Sequence, residues 1–268
     1  MNEHEVLNRG IVFAKELLQV YKQNHDYSDT RSMVLVGLFR KIVELSDGVS
    51  VCAQEGLRGG ADLNFRGLLE AYLSLKYILE DAADMENRAI AYKVGYHKHQ
   101  IDAANHSIQN GNLSEEERVF FENARQVHER ILENEEFVDV LEEWNNLQQN
   151  HRRNHAPKWH SLFGGPSSIN ALARRIDGQD TGQMERLYGL LSVNAHNYLV
   201  LRDFINTAPN VQVLADIRYP ADDLSIYNLV PTRSLLTSAM FAFIRVLFPE
   251  YLEQFREFMN GIREYLVY

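Results

Sequence analysis

The sequence contains little cysteine and little proline, and each shortage narrows the possible structures. Cys52 is the only cysteine in 268 residues, which excludes an intrachain disulfide and a zinc site built from several thiolates. All six prolines lie after residue 156. Because proline interrupts helices, a proline-free stretch of this length that is rich in Leu, Glu, Ala and Arg predicts long helices.

Basic residues are outnumbered, and no long uninterrupted apolar run occurs. Asp and Glu number 37 against 27 Lys and Arg, which gives a formal net charge of -10. Such a chain repels phosphate, so contact with a nucleic acid requires a local basic patch. The most apolar run, residues 235–247, contains Arg245, and the N-terminus lacks a basic and apolar leader. We therefore expect a cytoplasmic protein with no membrane contact.

Several catalytic motifs are also absent from the sequence. It contains no Gly-x4-Gly-Lys-Ser/Thr loop, no Gly-x-Gly-x-x-Gly, no Gly-x-Ser-x-Gly and no Glu-x-x-His. These absences argue against the common nucleotide-phosphate loops, an α/β-hydrolase nucleophile and a ferritin-like di-iron bundle. We expect no cofactor.

Apolar periodicity predicts an all-α, multi-helix bundle that forms one domain over residues 1–268. The expected helices lie near residues 4–24, 30–57, 62–81, 86–109, 114–134, 136–150, 181–207, 231–247 and 249–265. Start signals for three of them are Asp29 or Ser28, Asp62, and Ser114 with Glu117. Gly59 and Gly60 suit a left-handed stop after the second helix.

Three segments interrupt or complete this bundle. Pro, Gly and Ser predict a loop or flap over residues 151–168. β-branched residues favour a short irregular or β-hairpin insertion near residues 211–220. A C-terminal pair of helices follows over residues 231–265.

Two of the predicted helices carry a narrow polar stripe on an otherwise apolar surface. The stripe of the helix near 62–81 comprises Arg66, Glu70, Ser74 and the hydroxyl end of Tyr77. The stripe of the helix near 181–207 comprises Glu185, Ser192, His196 and Asp203. Helices this apolar should be largely buried, so the charges of both stripes need partners.

These stripes allow a structural and a catalytic interpretation. In the structural one, Arg66 and Glu70 form an ion pair that joins helices, and His196 is a hydrogen-bonded histidine between helices. In the catalytic one, the two stripes meet in a polar cleft. His196 is then the general acid or base, because histidine titrates near neutral pH. The candidate catalytic residues are Arg66, Glu70, Ser192 and His196, and Tyr77 is a candidate substrate-binding residue.

The segments GLRGGADLNFRGLLEAYLSLKYILED and YGLLSVNAHN resemble a large bacterial family of uncharacterised all-helical proteins. That family pairs an Arg-x3-Glu helix with a later Leu-Ser-x3-His helix, and the resemblance covers most of residues 30–200. The matching positions are Arg66, Glu70, Ser192 and His196. The helical arrangement is also similar to the HEPN superfamily, whose members include toxin and defence ribonucleases.

One strongly basic island, HRRNHAPKWH, occupies residues 151–160. Basic residues interleaved with an aromatic residue can hold a phosphate backbone and stack a base. The candidate RNA-binding residues are Arg152, Arg153, Lys158, Trp159 and His160. The alternative is a solvated surface turn. A metal bound by His151, His155 and His160 is a further alternative, but Arg152 stands where a zincin helix has its glutamate, and we expect no metal.

Two functions follow from these patterns. The resemblance implies a toxin- or defence-type protein, and by analogy a metal-independent endoribonuclease that uses Arg66 and His196 on RNA. The alternative is a non-catalytic binding or regulatory module that acts through a homo-oligomer or a cognate protein partner. The apolar residues 265–268 at the C-terminus suit docking onto another subunit.

Overall fold

The structure of the protein is a computed structural model, which describes residues 2–24, 29–150, 156–177, 182–196, 200–208, 211–218 and 227–263. Within these ranges the chain forms helices and one short β-hairpin, so the predicted all-α bundle with a small insertion is confirmed. The α-helices are α1 (Glu3–Asn24), α2 (Thr30–Gln54), α3 (Arg58–Ile78), α4 (Met85–Asn110), α5 (Glu115–Ile131), α6 (Val138–Asn150), α7 (Ile169–Ile176), α8 (Gln183–Ala195), α9 (Leu229–Leu247) and α10 (Leu252–Ile262).

Two of the predicted helix starts are observed. The Asp29 carboxylate accepts hydrogen bonds from the first backbone N–H groups of α2, at Arg31 and Ser32. Ser114 and Glu117 form a capping box at the start of α5. Each cap satisfies N–H groups that have no partner within the helix.

The predicted start of α3 is wrong by four residues. The helix begins at Arg58, and the left-handed residue before it is Gly56, with φ of 70°. Gly60 lies inside the helix because α2 and α3 approach closely there: a Cβ atom at Gly60 would come within 2.8 Å of the Cys52 sulfur. Asp62 is therefore not a cap but a buried residue, and it accepts a hydrogen bond of 2.8 Å from the Asn228 side chain.

The main apolar core lies between α1, α2, α3 and α9. Phe39 of α2 and Phe243 of α9 stack at its centre, with ring centroids 4.1 Å apart. Almost the whole length of α3 faces this core, from Ala61 to Ile78. Polar side chains on α3 are consequently confined to narrow gaps between neighbouring helices.

A second, smaller apolar cluster lies between α4, α6 and a 3₁₀ segment, Trp159–Gly164. Val94, Phe137, Trp144 and Leu162 are buried in it. This cluster fixes the residues after 156 onto α4, so the part of the predicted flap that the structure describes is packed against the bundle.

α9 is the one helix within the described ranges that is long and apolar enough to cross a membrane, with a mean hydropathy of 1.2. Half of the apolar stretch is buried inside the protein, against α1, α2 and α3. Arg233 near its start is also buried and pairs with Glu3 of α1. A core helix of a soluble protein has these properties.

The long helix predicted over 181–207 ends at Ala195. A 3₁₀ turn, Val200–Asp203, follows, and then an antiparallel hairpin of β1 (Phe204–Ala208) and β2 (Val211–Leu214). Phe204 pairs with Leu214, so the hairpin starts earlier than the predicted insertion near 211–220. The apolar residues of β1 are spaced as in a helix, which explains the prediction. In the structure they pair instead with β2, which follows within a few residues and allows a hairpin.

One short helix, α7, lies in a region where no helix was predicted. It follows a Ser168 cap whose hydroxyl accepts from the Ala171 N–H. α7 and α8 pack together and against α3, and they position the residues of the candidate site.

A pair of histidines joins α4 to α5. The Nδ1 atoms of His97 and His128 are 2.8 Å apart, so one ring donates a hydrogen bond to the other. Burial of His97 lowers its pKa, and the nearby His128 and Lys93 lower it further. Lys93 itself forms an ion pair with Glu136.

We expect this pair to make stability depend on pH. Because the pKa of His97 is lower in the folded protein than its ordinary value of 6.5, the unfolded chain binds the proton first as the pH falls. The free energy of unfolding should therefore be highest above about pH 6.5 and should decrease as the pH falls below that value. Urea titrations at several pH values measure this. His97→Gln should reduce the pH dependence and His99→Gln, an exposed residue of the same helix, should not; equal dependence in both variants would contradict the assignment.

Candidate functional site

Arg66 of α3 contacts α8, the helix that carries part of the second predicted polar stripe. Its Nε lies 3.3 Å from a carboxylate oxygen of Glu70, one turn along the same helix. Its guanidinium also lies 5.7 Å from the ring centroid of Tyr188 on α8. A hydrogen bond with Tyr188 and the charge of Glu70 raise the pKa of Arg66, against the opposing effect of burial. Arg66 is therefore a fixed cation that holds α3 and α8 together.

α8 runs antiparallel to α3. At its start, Glu185 pairs with Arg174 at the end of α7. The next residue of α7, Arg175, lies over the ring of Tyr77 near the end of α3. Because the contact of Tyr188 with α3 occurs nearer the start of α3, the two helices point in opposite directions.

This direction determines where Ser192 and His196 lie. They follow Tyr188 by one and two turns, about 6 and 12 Å along the helix axis. Both are therefore displaced towards the start of α3, whereas Glu70 is displaced towards its end. The structure places Glu70 and His196 on opposite sides of the contact between Arg66 and Tyr188.

His196 occupies the turn that directly follows α8 and is exposed. Its backbone N–H donates to the Ser192 carbonyl at 3.2 Å, which continues the helical pattern by one residue. The ring can therefore meet a solvent-borne substrate. Asp203, which was predicted to share the polar stripe of this helix, lies in the 3₁₀ turn beyond it and not on the same helix.

Tyr77 forms a second polar centre near the opposite end of α3. Its ring is buried between two guanidinium groups, with Arg88 at 4.2 Å and Arg175 at 5.2 Å from the ring centroid. Both arginines donate to the Glu80 carboxylate, Arg88 at 3.0 Å and Arg175 at 2.7 Å. Arg88 also donates to Asp84 at 2.8 Å.

The charges around Tyr77 balance one another. Burial acts to raise the pKa of Glu80, but the hydrogen bonds and charges of Arg175 and Arg88 outweigh it, so the pKa is lowered. Burial raises the pKa of the Tyr77 hydroxyl although both arginines oppose the shift. Tyr77 is thus a neutral phenol at physiological pH, next to ionised Glu80 and two cations.

The predicted RNA-binding island divides into buried and exposed residues. Trp159 packs between Tyr77 and Tyr92, with ring centroids at 5.9 and 5.0 Å. His160 is buried, and its Nδ1 lies 2.6 Å from the Pro166 carbonyl oxygen. Lys158 is exposed. Arg152 and Arg153 lie outside the described residues, as do His151 and His155.

Close packing explains the position of this island. A Cβ atom at Gly95 of α4 would lie 2.8 Å from the Cβ of Trp159, so only glycine leaves room for the indole. A Cβ atom at Gly165 would overlap the Tyr77 hydroxyl and the His160 carbonyl. Burial lowers the pKa of His160, with the Pro166 carbonyl opposing the shift.

A cavity of about 180 Å³ lies beside Tyr77 and Trp159. Its polar lining includes Asp84, Arg88 and Arg175, which the sequence analysis did not identify. The i,i+4 spacing of Asp84 and Arg88 was a local signal for their ion pair. No local signal was available for Arg175, because its place depends on the packing of α7.

Among the described residues, no group of three or more His, Cys, Asp or Glu side chains is placed to hold a metal ion. His160, the one described residue of the alternative metal site, uses its Nδ1 for the Pro166 carbonyl.

We expect the contact between Arg66 and Tyr188 to stabilise the fold. Arg66→Ala should lower the free energy of unfolding by about 1 kcal/mol, because it removes a half-buried ion pair and a cation–π contact. A double-mutant cycle with Tyr188→Ala, which removes the ring, followed by urea denaturation, measures the coupling between the two side chains.

Arg40→Ala is the matched control, because Arg40 forms an exposed i,i+4 pair with Glu44. Its effect should stay within about 0.5 kcal/mol. An Arg66 variant as stable as the Arg40 variant would show that the link between the helices contributes nothing.

Comparison with known proteins identifies a family but no characterised relative. The chain matches no curated protein and no solved structure. The model of a family of unknown function, DUF5677, matches residues 32–211, which include α3, α8 and the whole of the segment between them. That range covers more than half of the 268 residues, and the chain therefore belongs to the DUF5677 family of unknown function.

Proposed function

We propose that the protein is a binding module that acts by self-association through the segment from α8 to the hairpin. The observation that carries this proposal is a run of exposed apolar side chains along that segment. These residues are Leu190, Val193, Val200, Leu201, Phe204, Val213, Leu214 and Ile217. Leu201 is 75% exposed and Ile217 is 86% exposed.

The solvent exposure of so many apolar side chains favours an interface with another molecule. Exposed apolar side chains concentrated in one segment are typical of sites where another molecule binds. The hairpin adds backbone hydrogen-bonding groups on the outer edges of both strands, and exposed strand edges pair readily with other strands. The apolar C-terminal residues 265–268, a further candidate for docking, lie outside the described residues.

The charge of the segment favours a second copy of the chain as the partner. Residues 187–218 contain two arginines and two aspartates, so the segment has no net charge, whereas the whole chain has -10. Two acidic copies repel one another over most of their surface. A neutral apolar segment is the part of the surface where this repulsion is least, and a two-fold dimer is the commonest arrangement for such contacts.

The test is the mass of the protein in solution. We expect light scattering to give a dimer for the wild type and a monomer for the double variant Leu201→Glu/Ile217→Glu, because a buried carboxylate without a partner is costly. Phe120→Glu is the control: Phe120 is an exposed apolar residue on α5, outside the segment. A monomeric wild type, or a double variant that remains dimeric, would refute self-association through this segment.

A second candidate function is a metal-independent endoribonuclease of the toxin or defence type, in the bacterial cytoplasm. The observation that favours it is the exposure of His196, two turns beyond the Tyr188 that contacts Arg66. His196 would take the proton from a 2′-hydroxyl, whose oxygen then bonds to the adjacent phosphorus while the bond from phosphorus to the 5′ oxygen breaks. The 5′ oxygen would take a proton from water, and Arg66 would stabilise charge on the phosphate. Lys158, with Arg152 and Arg153, would hold the RNA backbone, and the similarity to HEPN ribonucleases belongs to this proposal.

Cleavage of a labelled single-stranded RNA tests this second function. We expect cleavage that resists EDTA and that falls at least about a hundredfold in His196→Ala, because general acid–base catalysis contributes factors of that size. His99→Ala, which also removes an exposed histidine, should cleave as the wild type does. Equal cleavage by both histidine variants, or none by the wild type, would reject the assignment.

A further inference from the structure

The cavity beside Tyr77 combines aromatic and polar groups. It lies between the end of α3, the start of α4, the 3₁₀ segment Trp159–Gly164 and α7. At about 180 Å³ it is smaller than the roughly 300–1,000 Å³ of sites for drug-sized ligands. It therefore suits one compact ring system. The cavity is separate from the exposed apolar segment and from His196, which lie towards the other end of α3.

An aromatic residue with a strained backbone forms the rim of the cavity. Phe163 has φ of 54° and ψ of 39°, a left-handed conformation that bulky side chains rarely adopt. Its N–H donates to the Glu143 carboxylate at 3.1 Å, which holds the conformation. Its ring is nevertheless 50% exposed. Such strain normally persists where the geometry serves a ligand rather than the core.

The charges around the cavity leave no net attraction for an anion. Arg88 and Arg175 are matched by Glu80 and Asp84, through the ion pairs described above. A ligand that is neutral at the point of contact fits this balance better than a phosphate or a carboxylate.

The polar groups of the lining still need hydrogen-bonding partners. Asn87 lines the cavity, is exposed, and has no side-chain hydrogen bond to any residue that the structure describes. Its amide supplies both a donor and an acceptor. Asp84 adds a carboxylate acceptor at the same wall. A purely hydrocarbon ligand would leave the Asn87 amide desolvated and unpaired, at a cost in affinity.

We propose that this cavity binds a nucleobase. The flat faces of the base would stack on Phe163 at the rim and contact Trp159 inside, and its polar edge would bond to Asn87 and Asp84. Stacking between aromatic side chains combined with hydrogen bonds to the base edge is how protein pockets read single bases. This inference depends on neither function proposed above.

The base can come from a free nucleotide or from an unpaired position in single-stranded RNA, since both present the same ring. Titrations with adenosine, guanosine, cytidine and uridine test the free form. Titrations with a single-stranded tetranucleotide, and with the same strand lacking one base, test the polymer. Calorimetry gives the affinities. Fluorescence of a Trp144→Phe variant, in which Trp159 is the one remaining tryptophan, reports occupancy of the cavity.

Four variants locate the binding. Phe163→Ala and Asn87→Ala should each weaken binding by about tenfold, since they remove a stacking surface and a hydrogen-bonding edge. Phe120→Ala and Asn123→Ala are the matched controls, an exposed Phe and an exposed Asn on α5, and should bind as the wild type does. All four side chains are at least partly exposed, so the fold should persist, and circular dichroism checks this.

Three results would overturn the proposal. One is the absence of binding by every nucleoside and by the tetranucleotide at millimolar concentration. Another is binding that the Phe163 and Asn87 variants leave unchanged. The third is competition by inorganic phosphate alone with the strength of a whole nucleotide, which would make the cavity an anion site. Tighter binding of the tetranucleotide than of the nucleosides, lost with the missing base, would identify RNA as the source.

Discussion

A charged group on a buried helix must be paired, and this requirement organises the helices around α3. The core buries most of α3, so several of its polar residues lie against another helix. Arg66 pairs with Glu70 and contacts α8. Tyr77 lies between two arginines, from α4 and α7. The polar contacts of Arg66 and Tyr77 therefore help to position α8 and α7, in addition to apolar packing.

The two ends of α3 present different chemistry as a consequence. Towards the start, α8 ends in an exposed histidine and leads into an apolar hairpin. Towards the end, aromatic rings and balanced ion pairs enclose a small polar cavity. The same helix thus supports a surface suited to a macromolecule and a pocket suited to a small ring. Neither depends on the other for its geometry.

Local signals in the sequence predicted the parts of the fold that depend on residues close together along the chain. Asp29 and Ser114 cap the helices that they were expected to cap, because a cap acts within one helical turn. The predicted start of α3 was wrong because glycine at position 60 leaves room for the Cys52 side chain of α2 and does not form a turn. The end of α8 was misplaced because the residues of β1 have a helical apolar period, and only their pairing with β2 makes them a strand.

The candidate site also combines contacts that local spacing predicts with contacts that it does not predict. The pair of Arg66 and Glu70 was predictable from i,i+4 spacing, and it is observed. Its contact with Tyr188, the placement of Trp159 in an aromatic cluster and the position of Arg175 over Tyr77 all join residues that are far apart in sequence. Spacing along the chain carries no information on such contacts, so a basic and aromatic island expected to face RNA is in part packed inside.

The capping box of α5 has a consequence for how the molecule opens. None of the residues of this helix is buried. Its support is its own Ser114–Glu117 cap, the hydrogen bond between His128 and His97, and one face laid along α4. Loss of α5 would expose little of either apolar cluster, so its opening requires far less free energy than unfolding of α2 or α3. We therefore expect α5 to separate from α4 as a local unit while the rest of the protein stays folded.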